Sequence, residues 1–253
     1  MLTESNLCNS YGEYCQLRKP YFAMHNNSMN KDDNRRVVNK SPWPTKEAMV
    51  QVYEKKLWGG VKSDFYSGEG SHASFLVEPY VKVVGEFLAF FEAPLVVCDL
   101  GCGDFNVGIQ LVDFTKKYEA IDIVPSLVER NKKKFKNEKL EFHCLDIAKT
   151  DWPSGDCIII RQVLQHLSNA EAKTISEKLG NYKYVILTEH VPLGDHEPNL
   201  DIISGQGTRL RKQSGLNLLV SPFNLNVKEE KQLLKVELNN GNEAIVTVLY
   251  EMW

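Results

Sequence analysis

The sequence lacks several patterns, and each absence removes a class of protein. No apolar run is long enough to span a bilayer, so no membrane-spanning segment is expected. The opening residues, Met-Leu-Thr-Glu-Ser-Asn-Leu-Cys, have no basic stretch leading into an apolar core. No secretory signal is therefore expected, and a cytoplasmic location is. The six cysteines (Cys8, Cys15, Cys98, Cys102, Cys144, Cys157) include no Cys-x-x-Cys pair. Cys98, Cys144 and Cys157 lie in or beside apolar strand patterns, which predicts reduced, buried thiols rather than disulfides or zinc, and no resident metal. Positive charge is not in excess: 30 Lys and Arg face 33 Asp and Glu, a net charge of −3. No bulk field draws the chain to nucleic acid or to an anionic membrane. No internal repeat is found, and 253 residues allow one large α/β domain with a small appendage.

What is present centres on residues 95–108, Leu-Val-Val-Cys-Asp-Leu-Gly-Cys-Gly-Asp-Phe-Asn-Val-Gly. Leu95–Cys98 is a short apolar run rich in β-branched residues, the pattern of a strand buried on both faces. Asp99 follows at its carboxyl end. Gly101 and Gly103 remove Cβ atoms from the turn, so backbone can approach a ligand and adopt positive φ. An apolar helical pattern is expected to resume from Asn106 to Leu111. The third glycine of a dinucleotide fingerprint is missing: Asp104, Phe105 and Asn106 follow Gly103, and Gly108 comes two residues too late. Asp104 would also repel a pyrophosphate, and an acidic turn suits a cofactor that carries an ammonium group.

This stretch resembles motif I of the class I S-adenosylmethionine-dependent methyltransferases, Asp-x-Gly-x-Gly, and the resemblance runs over roughly residues 70–190. It implies an α/β, Rossmann-like methyltransferase fold with a seven-stranded, mostly parallel sheet, an antiparallel last strand and helices on both faces. It also implies S-adenosylmethionine as cofactor, held in this stretch by Asp99, Gly101, Cys102, Gly103 and Asn106. Tyr118–Ile121 reads as the second buried strand and ends at Asp122, where an acidic group about twenty residues past the turn accepts hydrogen bonds from ribose hydroxyls. This matches motif II of the family, with Ile123 beside it. Leu140–Cys144 is the third strand. The resemblance assigns Asp146 to the adenine amino group and the backbone of Ile147 to a ring nitrogen. Cys157–Ile160 is the fourth strand, and Arg161-Gln162-Val163-Leu164-Gln165-His166-Leu167 resembles the motif IV region beside the methyl group, with Arg161 toward the cofactor and Gln162 toward substrate.

The remaining segments follow in order. Residues 1–43 are polar and irregular and read as a flexible arm ahead of a domain over 44–253. Thr45 is expected to cap a helix with a stripe of Ala48, Met49, Val52, Tyr53 and Leu57. Residues 58–72 hold four glycines with Trp58, Phe65, Tyr66 and His72. They read either as a mobile lid, with Tyr66 and His72 toward substrate, or as a surface connection whose aromatics pack on the neighbouring helix. Pro79 is expected in the first turn of the next helix. Pro125 opens a helix whose basic face, Arg130 to Lys134, is expected to be solvated. Ser168 and Glu171 form a capping box for the helix after the fourth strand. Tyr184–Leu187 is the fifth strand, with Thr188-Glu189-His190 at its end. Residues 191–226 are irregular and read as a substrate-side insertion with Asn199, Asp201, Arg209 and Ser214 as polar candidates, Arg209 chief among them. A short helix is expected over 227–233, then a hairpin of Leu233–Leu238 and Ala244–Tyr250 around Asn239-Asn240-Gly241.

Methyl transfer needs alignment, and it needs a base only if the acceptor must lose a proton; His166 and His190 are the candidates. The Asn/Asp-Pro-Pro-Tyr/Phe motif of amino- and base-methylating relatives is absent after the fourth strand, as is the paired-acid metal site of catechol-type enzymes. The resemblance leaves a methyltransferase acting on oxygen or nitrogen of a small molecule or glycan, with no nucleic-acid or membrane partner. A catalytically silent, methyltransferase-like binding module is the alternative.

Overall fold

The structure is a computed structural model and describes residues 42–62 and 64–253, without the side chain of Asn240. The arm expected over 1–43 lies outside the described residues up to position 41. Seven strands form one sheet: β1 (Val96–Leu100), β2 (Lys117–Asp122), β3 (Leu140–Cys144), β4 (Cys157–Arg161), β5 (Tyr184–Pro192), β6 (Glu229–Leu238) and β7 (Glu243–Glu251), in the order β3-β2-β1-β4-β5-β7-β6. β1 to β5 pair in parallel, and β7 runs antiparallel to both β5 and β6. The apolar runs explain this arrangement. Val97 and Cys98 of β1 and Cys157 to Ile160 of β4 are buried on both faces, as central parallel strands require.

Four α-helices flank the sheet: α1 (Thr45–Glu54), α2 (Ser74–Ala89), α3 (Pro125–Lys134) and α4 (Asn169–Leu179). Strand alternation splits the core in two. Cys98, Leu100, Ile158, Ile160, Val185 and Leu187 pack with Ala172, Ile175 and Leu179 of α4. Val97, Ala120, Ile159 and Ile186 face the other way, against Val77, Tyr80, Val84 and Leu88 of α2 and Val128 of α3. Met49, Val52 and Tyr53 of α1 pack on Val124 and Leu127 at the start of α3. Ser168 caps α4, its side chain accepting from the Glu171 N–H. No helix among the described residues is long and apolar enough to cross a membrane.

Four expectations change. No α-helix follows the glycine turn; Asn106 to Leu111 gives way to 3-10 turns at Gly108–Gln110 and Val112–Phe114. Phe105 takes φ 63° and buries its ring against Tyr118, Phe135 and Phe142. Gly108 lies so close that a Cβ there would come within 2.4 Å of the ring. The segment over 227–233 is not helical but enters edge strand β6, because β7 offers it a ladder with an irregularity between Gln232 and Leu234. Pro79 lies inside α2, which starts at Ser74. Thr45 is the first helical residue of α1, and Pro44 takes the cap position.

Candidate functional site

The carboxyl ends of β1 to β4 open onto a cavity of about 460 Å³. The glycine turn forms its floor. Gly101 and Cys102 donate their N–H groups to the Ile121 carbonyl, at 2.8 and 2.9 Å, tying the turn to β2. Gly101 has φ +82°, and a Cβ there would lie 2.5 Å from Val163 Cγ2, so only glycine fits. Asp122 braces the turn from the side: Oδ2 accepts from Gly103 N and Oδ1 from Val124 N, both at 3.0 Å. Asn131 of α3 donates to the Gly103 carbonyl at 2.8 Å.

Three carboxylates stand on the cavity wall at the ends of adjacent strands. Burial pushes Asp99 up to about 7, against the hydrogen bond it accepts from Tyr118 at 3.0 Å, and burial also raises Asp122. Asp146 accepts from Ala148 N at 3.1 Å and pairs with Lys149 at 2.9 Å. Apolar Ile123, Leu145, Ile147 and Ala148 lie between these acids. Two buried acids with lone pairs to spare fit a ligand that brings hydroxyl and amine donors and a positive charge.

The glycine-rich segment 58–72 is docked over the turn. Ser67 and Asp104 exchange hydrogen bonds, Ser67 N to Asp104 Oδ2 at 2.9 Å and Asp104 N to Ser67 Oγ at 2.8 Å. His72 Nε2 meets the same carboxylate at 2.6 Å, and Asn106 donates to the Ser71 carbonyl at 2.8 Å. Asp104 is thus spent on this segment rather than left for an ammonium group. Arg130 grips Asp64 with two nitrogens, at 2.7 and 2.8 Å, and donates to the Asp104 carbonyl at 3.0 Å. The basic face of α3 is therefore not wholly solvated: Arg130 and Asn131 turn toward the site.

On the β4 side, Arg161 lies 4.8 Å over the Tyr80 ring and donates to the Gly70 carbonyl, and its Nε is buried with no partner among the described residues. His166 lines the cavity with the Trp58 ring 5.2 Å away. Its Nδ1 is 3.1 Å from the Gly207 carbonyl, which can only accept, so Nδ1 carries the proton. Burial lowers this imidazole to about 4, so it is neutral at pH 7. Gln165, whose Oε1 accepts from His190 N at 3.0 Å, approaches His166 Nε2 at 3.3 Å.

The cavity wall gathers Asp99, Gly101, Cys102, Gly103, Asn106, Asp122, Ile123, Asp146, Ile147, Arg161, Gln162 and His166. It does not include His190, Tyr66, His72 or Arg209. His190 pairs with Glu243 at 3.1 Å on the sheet side, and burial lowers its pKa. Tyr66 stacks on His72 at 4.4 Å and donates to Glu69. Arg209 is buried and donates to the Leu164 and Leu167 carbonyls and to Asn169, fastening the 191–226 insertion to the β4–α4 turn. Two residues on, Arg211 reaches the cavity instead, with Thr208 and Trp58. No spacing in the sequence distinguishes Arg211 from Arg209; only the 3-10 turn at Arg209–Lys212 sorts one inward and the other toward the cavity.

A strand order of 3-2-1-4-5-7-6 with an antiparallel β7, and a glycine turn leading from β1 beside carboxylates on the next two strands, define the class I methyltransferase fold. The family model of a methyltransferase domain matches residues 97–181. Residues 97–181 thus form a methyltransferase domain of Rossmann-like fold, with S-adenosylmethionine as its cofactor. Solved structures of similar fold include magnesium protoporphyrin IX methyltransferase from Synechocystis with bound S-adenosylmethionine, at a TM-score of 0.54 and 16% identity over 84% of this chain and 100% of that one. They also include N-methyltransferase NodS from Bradyrhizobium japonicum with S-adenosylhomocysteine, at 0.52 and 12% over 70% and 87%. A third is 1,6-didemethyltoxoflavin-N1-methyltransferase from Burkholderia thailandensis, at 0.50 and 13% over 82% and 87%. No curated protein matches the sequence.

Proposed function

We propose that the protein methylates an oxygen or nitrogen of a small molecule or saccharide. One observation carries this reading: a single cavity runs from Asp99, Asp122 and Asp146 to a second region lined by Met49, Trp58, His166 and Thr208, beneath the 58–72 segment. Its volume of about 460 Å³ suits a cofactor and a small acceptor rather than a macromolecular surface. Within it, Asp122 would hold the ribose diol, Asp146 and the Ile147 backbone the adenine, and the Asp99 end the amino-acid portion. When bound, the cofactor supplies an electrophilic methyl on sulfur, and the protein supplies alignment. Neutral His166, with its proton on Nδ1, accepts from the Gln165 amide at Nε2, and an O–H or N–H of the substrate would take over that lone pair. Its lowered pKa suits orientation better than storage of a proton.

The test is methyl transfer from labelled S-adenosylmethionine across a metabolite panel of alcohols, amines and sugars, beside calorimetry with S-adenosylhomocysteine and NAD. Label transfer to a small acceptor is expected, with binding of the sulfur compound and none of NAD. Label found only on protein or nucleic acid would overturn the acceptor class.

A further inference from the structure

We infer that the acceptor carries an anionic group, a carboxylate or a phosphate, and that Arg211 and Thr208 bind it; this rests on the methyltransferase reading of the cavity. Arg211 lines the cavity, yet its side chain has no hydrogen-bond or ion-pair partner among the described residues. Its guanidinium lies beside Gly207, where a Cβ would stand 3.3 Å from Arg211 Nη1 and 3.5 Å from Cζ. The same Gly207 receives His166 Nδ1 through its carbonyl, so the cation and the imidazole sit on one short stretch of backbone. Buried Arg209 anchors that stretch to the Leu164 and Leu167 carbonyls. The Thr208 hydroxyl, also on the cavity wall, has no partner among the described residues either.

The acids on the wall do not neutralise this cation. Glu171 is taken up by the hydroxyls of Thr45, Ser168 and Ser204. Asp104 is held by Ser67 and His72, and Asp146 pairs with Lys149. The cofactor region is therefore acidic, while the region beside His166 presents an exposed, unpaired guanidinium and a free hydroxyl. A planar fork with a neighbouring O–H is a recognition set for oxyanions. An anionic group seated there would tether the acceptor beside His166, leaving its nucleophilic oxygen or nitrogen free to take the methyl.

The experiment uses full-length protein saturated with S-adenosylhomocysteine and labelled with ¹⁵N-arginine. Sodium phosphate and sodium acetate are titrated separately against sodium chloride at matched ionic strength. The Arg211 Nε–H signal, assigned through Arg211→Lys, should shift saturably with phosphate, with acetate or with both, beyond the chloride response. Preference for phosphate points to a phosphorylated acceptor, and equal or better response to acetate to a carboxylated one. In Arg211→Gln, anion affinity read at the Trp58 indole N–H should fall about tenfold or more. Lys173→Gln on exposed α4 surface removes the same charge and should leave that affinity unchanged. S-adenosylhomocysteine affinity should stay within about twofold in both variants. No saturable shift at Arg211, or equal anion affinity in Arg211→Gln, would overturn the proposal. Failure of the wild type to bind S-adenosylhomocysteine would instead strike the reading beneath it, and the titration of ligand-free protein would still judge the anion site.

Discussion

Asp122 does two jobs with one carboxylate. It accepts the Gly103 and Val124 N–H groups, and it keeps lone pairs for a ligand in the cavity. Its strand-end position suggests a residue that could be removed without harm to the fold, but its partners say otherwise. Asp122→Ala should lower S-adenosylhomocysteine affinity at least tenfold, roughly, and also cost about 2 kcal/mol of stability, because two N–H groups lose their acceptor. Calorimetry and urea unfolding read the two losses separately, and an unchanged dissociation constant would remove Asp122 from the binding site. His166 makes a prediction of a different kind. The unfolded chain protonates it near 6.5, the fold only near 4. Its burial therefore costs nothing above about pH 6.5 and withdraws stability as the pH falls from there to about 4. Ring-proton NMR should show His166 neutral at pH 5.5; a midpoint near 6.5 in the folded protein would contradict the buried, Gly207-bonded imidazole.

At the scale of elements, segment 58–72 is the one whose role the sequence leaves open. Its glycines allow mobility, while its contacts give it a defined seat on Asp104, Arg130 and Arg161. Asp104→Ala cuts the central bonds of that seat. Amide exchange over 65–72 should quicken by tenfold or more, exchange in α4 should not change, and S-adenosylhomocysteine should bind more weakly. Equal exchange in both proteins would mean that aromatic packing alone holds the segment. The elements themselves were legible to different degrees. The apolar stretches of β1 and β4 could be read because strands buried on both faces are continuously apolar. The 3-10 path after the glycine turn could not be read, because Val107 and Leu111 stand four apart, as on one face of a helix. Only the fit of the Phe105 ring among Tyr118, Phe135 and Phe142 shows otherwise. Strand β6 was hidden for a similar reason: its first four residues are polar and exposed, and β7 alone makes them a strand.

Over the whole molecule, the 191–226 insertion completes the cavity, and Arg209 is its fastening. Arg209→Met should leave the Leu164 and Leu167 carbonyls and Asn169 without their donor and cost about 3 kcal/mol, with Arg209→Lys a poor rescue because a single ammonium cannot span three acceptors. A stability loss under about 0.5 kcal/mol in denaturant unfolding would show that the insertion is held by other contacts.

The sequence by itself determined the class of fold and the cofactor. Both depend on local features, an apolar strand, a glycine turn and an acid at a strand end, that one stretch of chain can display. The tertiary structure decided which side chains meet in the cavity. It buried Arg209 under the insertion and left Arg211 on the cavity, gave Asp104 to the 58–72 segment, and set His166 neutral against Gly207. Such choices depend on contacts between residues some 30 to 45 positions apart, where burial and hydrogen-bond geometry, not local pattern, select the arrangement.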